Sequence, residues 1–414
     1  MRISSTLFFQ TGLNSINAQQ ADLMHLFQQV GSGQRMVTPA DDPLAAAQAI
    51  NISQSQSLNK RFADNREVAR RNLGIEENTL TSVTLLMQDI KTRLVEAGNG
   101  TMSDADRATL ANVLSNSKST LLGLANSTDG NGQYLFSGSR GGMAPFVADA
   151  TGSVGWQGDN LARNIQVDQT RQLGGSDAGS DVFLRASPGV NGYLTTAATS
   201  NGTARISTPA ISDPAGANVG KDFDITFTSA TTYNVVVTDR TVAAPVSDPP
   251  LSYTYDPNST SLVLPGGVQI KFSGVPVAGD AFSVNSTASP AAGLNIFDTL
   301  DSVVAVLKSP ANGDSVAQAD LGNALASAMQ RLDVHYDNVL TVRASVGARL
   351  NEIDALDAGG TMRNLGYTMQ LSRLEDLDYY AATTSLQLRQ SALEAAALAF
   401  RKIQSTSLFN MGNR

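Results

Sequence analysis

Residues 325–356 read LASAMQRLDVHYDNVLTVRASVGARLNEIDAL, and this stretch decides the fold. Leu325, Ala328, Leu332, His335, Val339, Val342, Val346, Arg349, Ile353 and Leu356 follow one another at alternating steps of three and four. Eight of these ten are apolar. A period of 3.5 residues held over about four heptads draws a narrow apolar stripe along a long helix, and the stripe needs a partner helix to leave water. Partners lie at the far end of the chain. Leu80, Val83, Met87, Ile90 and Leu94 keep the same alternation, as do Leu13, Ile16, Leu23, Phe27 and Val30, with Gln20 as the interruption.

Outward from the stripe, helical material occupies both ends and different material the middle. A first helix spans about 5–30 and stops at Gly31-Ser32-Gly33. Asp42 is placed to cap a second helix, with Pro43 in its first turn, where a missing N–H costs nothing. That helix runs to about Ala97, with Gly74 as a weak point, and would be roughly 80 Å long. Ser103 and Asp106 form a capping box ahead of a third helix through Leu110, Leu114 and Leu121. After the Asp129-Gly130-Asn131-Gly132 turn, Gln133–Phe136 reads as a strand. From about 140 to 290 short β-rich runs replace helical periodicity: 224–228, 233–238, 251–255, 261–264, 268–272 and 281–284. Helix returns with Ile296, Leu300, Val303 and Leu307. Asp357-Ala358-Gly359-Gly360 reads as the end of the long helix, followed by a last helix over about 371–403.

The fold class is therefore mainly α with a β insertion. Long N- and C-terminal helices pack as a coiled-coil-like rod around a middle antiparallel β-domain. The expected division is terminal helical segments 1–38 and 365–414, a helical rod of 39–140 and 291–364, and an outer β-rich domain over 141–290. Leu80, Val83, Met87, Ile90, Leu332, Val339, Val342, Val346 and Ile353 are the expected rod core.

Composition narrows the function. The 414 residues carry a net charge of −8, which argues against a nucleic-acid surface. There is no cysteine, so thiolate catalysis, zinc–thiolate sites and disulfides are excluded. No run of about 18 apolar residues is present, so no membrane span is expected, and the N-terminal apolar run is too short for a cleaved signal peptide. The spacing of phosphate-cradling loops, nucleophile elbows and HExxH sites is missing. Of the two histidines, His25 is expected to face solvent, and His335 to be a packing or register residue on the stripe. Neither has the further ligands a metal needs. No catalytic, cofactor or metal residues are expected.

The ends of the chain also carry a resemblance. Met1-Arg2-Ile3-Ser4, Pro39-Ala40-Asp41-Asp42-Pro43, Ala97-Gly98-Asn99-Gly100-Thr101, the run from Leu124 to Gly132, Asn338–Ala344, Ser372–Tyr379 and the ending Ser407-Leu408-Phe409 resemble the flagellin superfamily. Within it, the match is closer to proteins that join hook to filament than to the filament subunit itself. The resemblance implies a structural, non-catalytic flagellar protein, exported without a cleaved signal. Its subunits would form a ring between the hook, through hook-associated protein 1, and the flagellin filament. It also implies the flagellar export apparatus and a cytoplasmic export chaperone on the C-terminal helix as partners. Flagellin itself is the alternative identity. The residues expected at the assembly interface are Leu13, Ile16, Leu23, Phe27, Leu371, Leu374, Leu388, Leu393, Phe400 and Ile403. With few bulky groups to pack against in isolation, the terminal helices are expected to be poorly ordered until neighbours bury them.

Overall fold

A computed structural model of the chain describes residues 5–188, 192–199, 201–240, 242 and 244–405. Seven α-helices are described: α1 (Ser5–Ser32), α2 (Pro43–Ala97), α3 (Asp104–Ala125), α4 (Gly179–Phe183), α5 (Ile296–Lys308), α6 (Ser315–Glu375) and α7 (Tyr379–Ser405). The strands fall between α3 and α5. They are β1 (Phe146–Ala148), β2 (Val154–Trp156), β3 (Asn164–Gln166), β4 (Gln172–Gly174), β5 (Tyr193–Thr199), β6 (Arg205–Ile211), β7 (Asp222–Ser229), β8 (Thr232–Asp239), β9 (Val246–Ser247), β10 (Leu251–Thr254), β11 (Ser261–Leu264), β12 (Val268–Ser273) and β13 (Ala281–Ser286). The long-helix ends and antiparallel β middle follow the expected class. The chain divides into two compact units, 1–64 with 355–414 and 65–354, so α2 and α6 each contribute to both.

In the larger unit the heptad stripes face each other. Leu73, Leu80, Val83, Met87, Ile90 and Leu94 of α2 are buried, as are Leu325, Leu332, Val339, Val342, Val346 and Ile353 of α6. The helices run antiparallel. Lys91 pairs with Asp333 at 2.5 Å, Gln88 donates to Tyr336 Oη at 2.8 Å, and Arg70 pairs with Asp354 at 2.8 Å. The α3–α5 pair completes the helical layer. It is held by the Lys118–Asp301 pair and by Asp104, which accepts the Ala311 N–H at 3.0 Å while the Ser103–Asp106 capping box starts α3. The segment Pro290–Lys308 is long and apolar enough by composition to cross a bilayer, but Asp298 and Asp301 interrupt it, so it is not a continuous apolar run. Its face of Ile296, Phe297, Leu300, Val303 and Leu307 is instead buried in the protein.

Strands β10-β8-β7-β13-β5, with β9 on β8, form one antiparallel sheet, and β11-β12-β6 form a second. Their inner faces share one core, in which Phe227 of β7 stacks on Phe272 of β12 at 5.3 Å and Phe282 meets both rings edge-on. Side-chain amides on α6 tie this core to the helices. Asn323 accepts the Ile206 N–H at 3.0 Å and donates to Ala204 O at 3.0 Å, and Gln330 accepts the Thr195 N–H at 3.0 Å.

Two readings from the sequence are corrected. Gly359-Gly360 does not end the long helix, because α6 continues to Glu375. Gly360 is buried and its carbonyl accepts Asn59 Nδ2 at 2.8 Å, so packing outweighs the roughly 1 kcal/mol helix penalty of each glycine. Gln133–Phe136 is not a strand. Only Tyr134 makes a bridge, to Thr128, while Leu135 and Phe136 are buried within turns.

His335 is fully buried in the α6 stripe, and neither ring nitrogen has a hydrogen-bond partner among the described residues. Burial, and then the nearby Arg331 charge, lower its pKa from 6.5 to about 3. The unfolded chain therefore takes up this proton at higher pH than the folded one. The stability tied to the neutral ring is complete above pH 6.5 and is lost as pH falls from there toward 3. His335→Leu should remove up to about a tenfold change per pH unit in the unfolding constant within that window. Thermal unfolding at about pH 4.5 and pH 8 checks it, with the variant gaining most at the acid end.

Candidate assembly interface

The smaller unit joins the chain's two ends. Asp42 Oδ1 accepts the Ala45 N–H at 3.0 Å and starts α2, while Asp41 gathers the N–H groups of Val37 and Thr38 at 2.8 and 2.9 Å. Those bonds, with Thr38 foremost, hold the Asp41 carboxyl down at about 2. His25 Nε2 lies 3.1 Å from Asp41, its side chain 40% exposed, so it lies beside this turn rather than wholly in solvent.

At the other end, α6 and α7 are separated by Asp376-Leu377-Asp378. Asp378 Oδ1 caps α7 by accepting the N–H groups of Tyr380 and Ala381 at 3.0 and 3.1 Å. The break is pinned to the start of the chain. Arg35 N–H donates to Glu375 O at 2.7 Å, Leu377 N–H donates to Gly33 O at 3.0 Å, and Gln34 and Asp376 pair as a β-bridge.

From that anchor α7 runs back along α1. Gly33 lies against Tyr379, Asp22 is ion-paired with Arg389, and Gly12 lies against Phe400. Residue numbers rise along α1 as they fall along α7, so the helices are antiparallel. Both glycines serve close approach. A Cβ on Gly12 would sit 3.2 Å from the Phe400 ring, and one on Gly33 would sit 2.8 Å from Tyr379 Oη. Gly33 also has a φ of +72°, a region costly for other residues. The terminal helices thus have each other to pack against, which revises the expectation that each has little.

This pairing leaves much apolar surface exposed. Of the expected interface residues, Leu13 and Phe27 on α1 are exposed, and Ile16 and Leu23 are half-buried. Leu388 on α7 is 71% exposed, while Leu393 and Phe400 are half-buried. Leu371 and Leu374 are half-buried and belong to the end of α6, not to the last helix. The side chain of Ile403, and the segments Met1–Ser4 and Ser407–Phe409, lie outside the described residues. Sequence reading missed Met362, Leu365 and Met369 on α6, each more than half exposed. Their three-four spacing, past the misread Gly359-Gly360, is the signal that could have found them. The same unit holds a cleft of about 650 Å³, lined by Met36, Val37, Ile50, Leu58, Arg61 and Glu375. Among the described residues no three His, Cys, Asp or Glu side chains are grouped to hold a metal.

Known proteins resemble this chain in sequence and in fold. Residues 3–140 match the family model of the bacterial flagellin N-terminal helical region. Flagellar hook-associated protein 3 of Salmonella typhimurium is 30% identical over 411 residues, covering 99% of both chains. The protein of the same name from Escherichia coli is 30% identical over 416, again covering 99% of each. The crystal structure of Xanthomonas campestris FlgL matches 78% of this chain and 99% of its own, at 28% identity and a TM-score of 0.65. That of hook-associated protein 3 from Legionella pneumophila, at 24% identity and a TM-score of 0.66, shares the fold.

Gly33→Val should destabilise the smaller unit by about 1–2 kcal/mol through the positive φ alone. It should also unseat Tyr379. Limited proteolysis should then cut faster near 376–380 than in the parent chain, while the larger unit keeps its resistance.

Proposed function

The chain belongs to the flagellar hook-associated protein 3 family, and from this premise we propose that its subunits close a ring between the hook and the flagellin filament. It is a structural component of the flagellum at the hook–filament junction, and it works by assembly rather than catalysis. The observation that carries the reading is the α1–α7 pair, with Leu13, Phe27 and Leu388 still facing solvent beside it. A neighbouring subunit that covers this surface buries apolar area at roughly 25 cal/mol per Å². That gain stabilises the pair further and favours the assembled state over the single chain.

In this reading the ring contacts hook-associated protein 1 on one side and flagellin on the other. The domains divide the labour: 1–38 and 365–414 line the inner tube, 39–140 and 291–364 form the helical rod, and 141–290 face outward. Flagellin is the second reading, favoured by the match of residues 3–140 to the flagellin helical region. The full-length relatives favour the junction.

Before assembly the exposed apolar residues of α7 need cover. A cytoplasmic chaperone that receives this helix in a groove supplies it. Export then proceeds through the flagellar apparatus, without a cleaved signal, to the outside of the cell. Truncation after Gly360 should abolish chaperone binding in a pull-down, and undiminished binding would refute that part.

Leu388→Asp and Phe400→Asp should each block junction formation. Electron microscopy should show hooks without filaments, and blotting should find flagellin in the medium, while circular dichroism of the purified variant retains the parent's β signal. Normal filaments and swimming in both variants would overturn the assembly role of this face.

A further inference from the structure

Glu76, on the part of α2 within the larger unit, is fully buried. Its Oε1 accepts the Asp177 N–H at 3.1 Å, but its Oε2 has no donor among the described residues. Asp177 follows β4, and its carboxylate is ion-paired with Arg349 of α6. Arg349 Nη1 also donates to Gly174 O at 3.1 Å. Three elements thus meet at one cluster: α2, the segment 172–178 and α6.

The charges around Glu76 can be counted by element. Asp177 comes from the segment after β4 and Arg349 from α6. Arg163, which donates to Ser176 Oγ at 3.4 Å, is occupied by the carbonyls of Tyr134 and Leu135 at 3.0 and 3.3 Å. On α2 itself Glu77 is turned to Arg343 at 2.6 Å. One guanidinium therefore serves two carboxyl groups, and it is bonded to Asp177. An ionised carboxylate is an acceptor at both oxygens, and burying it with one oxygen unserved is costly. A protonated acid fits the same geometry, because its own O–H is a donor and the Asp177 carboxylate beside it is an acceptor.

We infer that Glu76 keeps its proton in the folded chain and, with Asp177 and Arg349, forms a clamp that holds the segment 172–178 to α2 and α6 and weakens when that proton leaves. Burial first, and then the Asp177 charge, push the Glu76 carboxyl well above the ordinary carboxylate range, with Arg349 partly opposing. The folded chain then keeps a proton that the unfolded chain has already released. Stability is full below the ordinary carboxyl pKa and falls as pH rises toward the raised value, after which the penalty is constant. This window overlaps the one set by His335 and extends beyond it on the alkaline side, so above pH 6.5 only the Glu76 slope remains.

Thermal and urea unfolding of the full chain between about pH 6 and pH 9.5 tests the clamp. The unfolding constant should rise by up to about tenfold per pH unit until Glu76 ionises. Glu76→Gln keeps the acceptor for the Asp177 N–H and supplies a permanent donor to the Asp177 carboxylate, so that slope should flatten. A wild-type chain with no alkaline slope, or a variant with an unchanged one, would overturn the inference. Should the variant fail to fold, side-chain carboxyl NMR of the wild-type chain decides. Glu76 ionising above pH 6 supports the clamp, and ionisation in the ordinary carboxyl range refutes it. Neither readout depends on junction assembly, so the clamp and the function proposed above fail separately.

Discussion

Everything at the ends of this chain depends on one antiparallel pairing. Leu377 N–H to Gly33 O, Arg35 N–H to Glu375 O and the Gln34–Asp376 bridge join positions more than three hundred residues apart. They fix where α6 stops and from which point α7 runs back along α1. Without them Asp376-Leu377-Asp378 is only a polar interruption in a long helical sequence. With them the ion pair of Asp22 with Arg389 and the contact of Gly12 with Phe400 follow from the register. Closing so long a loop carries an entropy cost that grows only logarithmically with length, so modest helix packing can hold it once the interior is folded.

The sequence made the paired stripes of the larger unit legible because a heptad sustained over many turns has few other structural solutions. The capping box at Ser103 and the cap at Asp42 were equally plain, being local chemistry read at fixed offsets. What the sequence hid was held by distant partners. Gly359-Gly360 looked like a stop because its carbonyl partner, Asn59, lies far away in the chain. Strands β5 and β6 escaped notice, being rich in Ser, Thr and Ala and secured by Gln330 and Asn323 from α6. At the interface, Leu13, Phe27 and Leu388 were found from their spacing, but Met362, Leu365 and Met369 were lost with the misplaced helix end.

The two units use polar groups differently. In the larger one, buried Asn323, Gln330 and Asn338 bond to the backbone of the strand region and of α4, while His335 and Glu76 hold unserved polar atoms and have altered protonation. Such groups narrow the pH range in which the core is most stable. The smaller unit has few buried side chains, Leu26, Ala45, Ala49, Asn59 and Ala382 among them, and many exposed apolar ones. A fold that is firm in one part and unfinished in the other suits a protein whose final packing comes from its neighbours.

The pairing of the ends can be measured directly, because a chain without cysteine accepts engineered thiols cleanly. Asp22→Cys combined with Arg389→Cys, treated with a short bifunctional thiol reagent at low protein concentration, should cross-link within one chain in high yield. Asp22→Cys with Ala399→Cys places the second thiol about 15 Å further along α7 and should not. Equal yields from the two pairs, or cross-links only between chains, would contradict the antiparallel register on which this account rests.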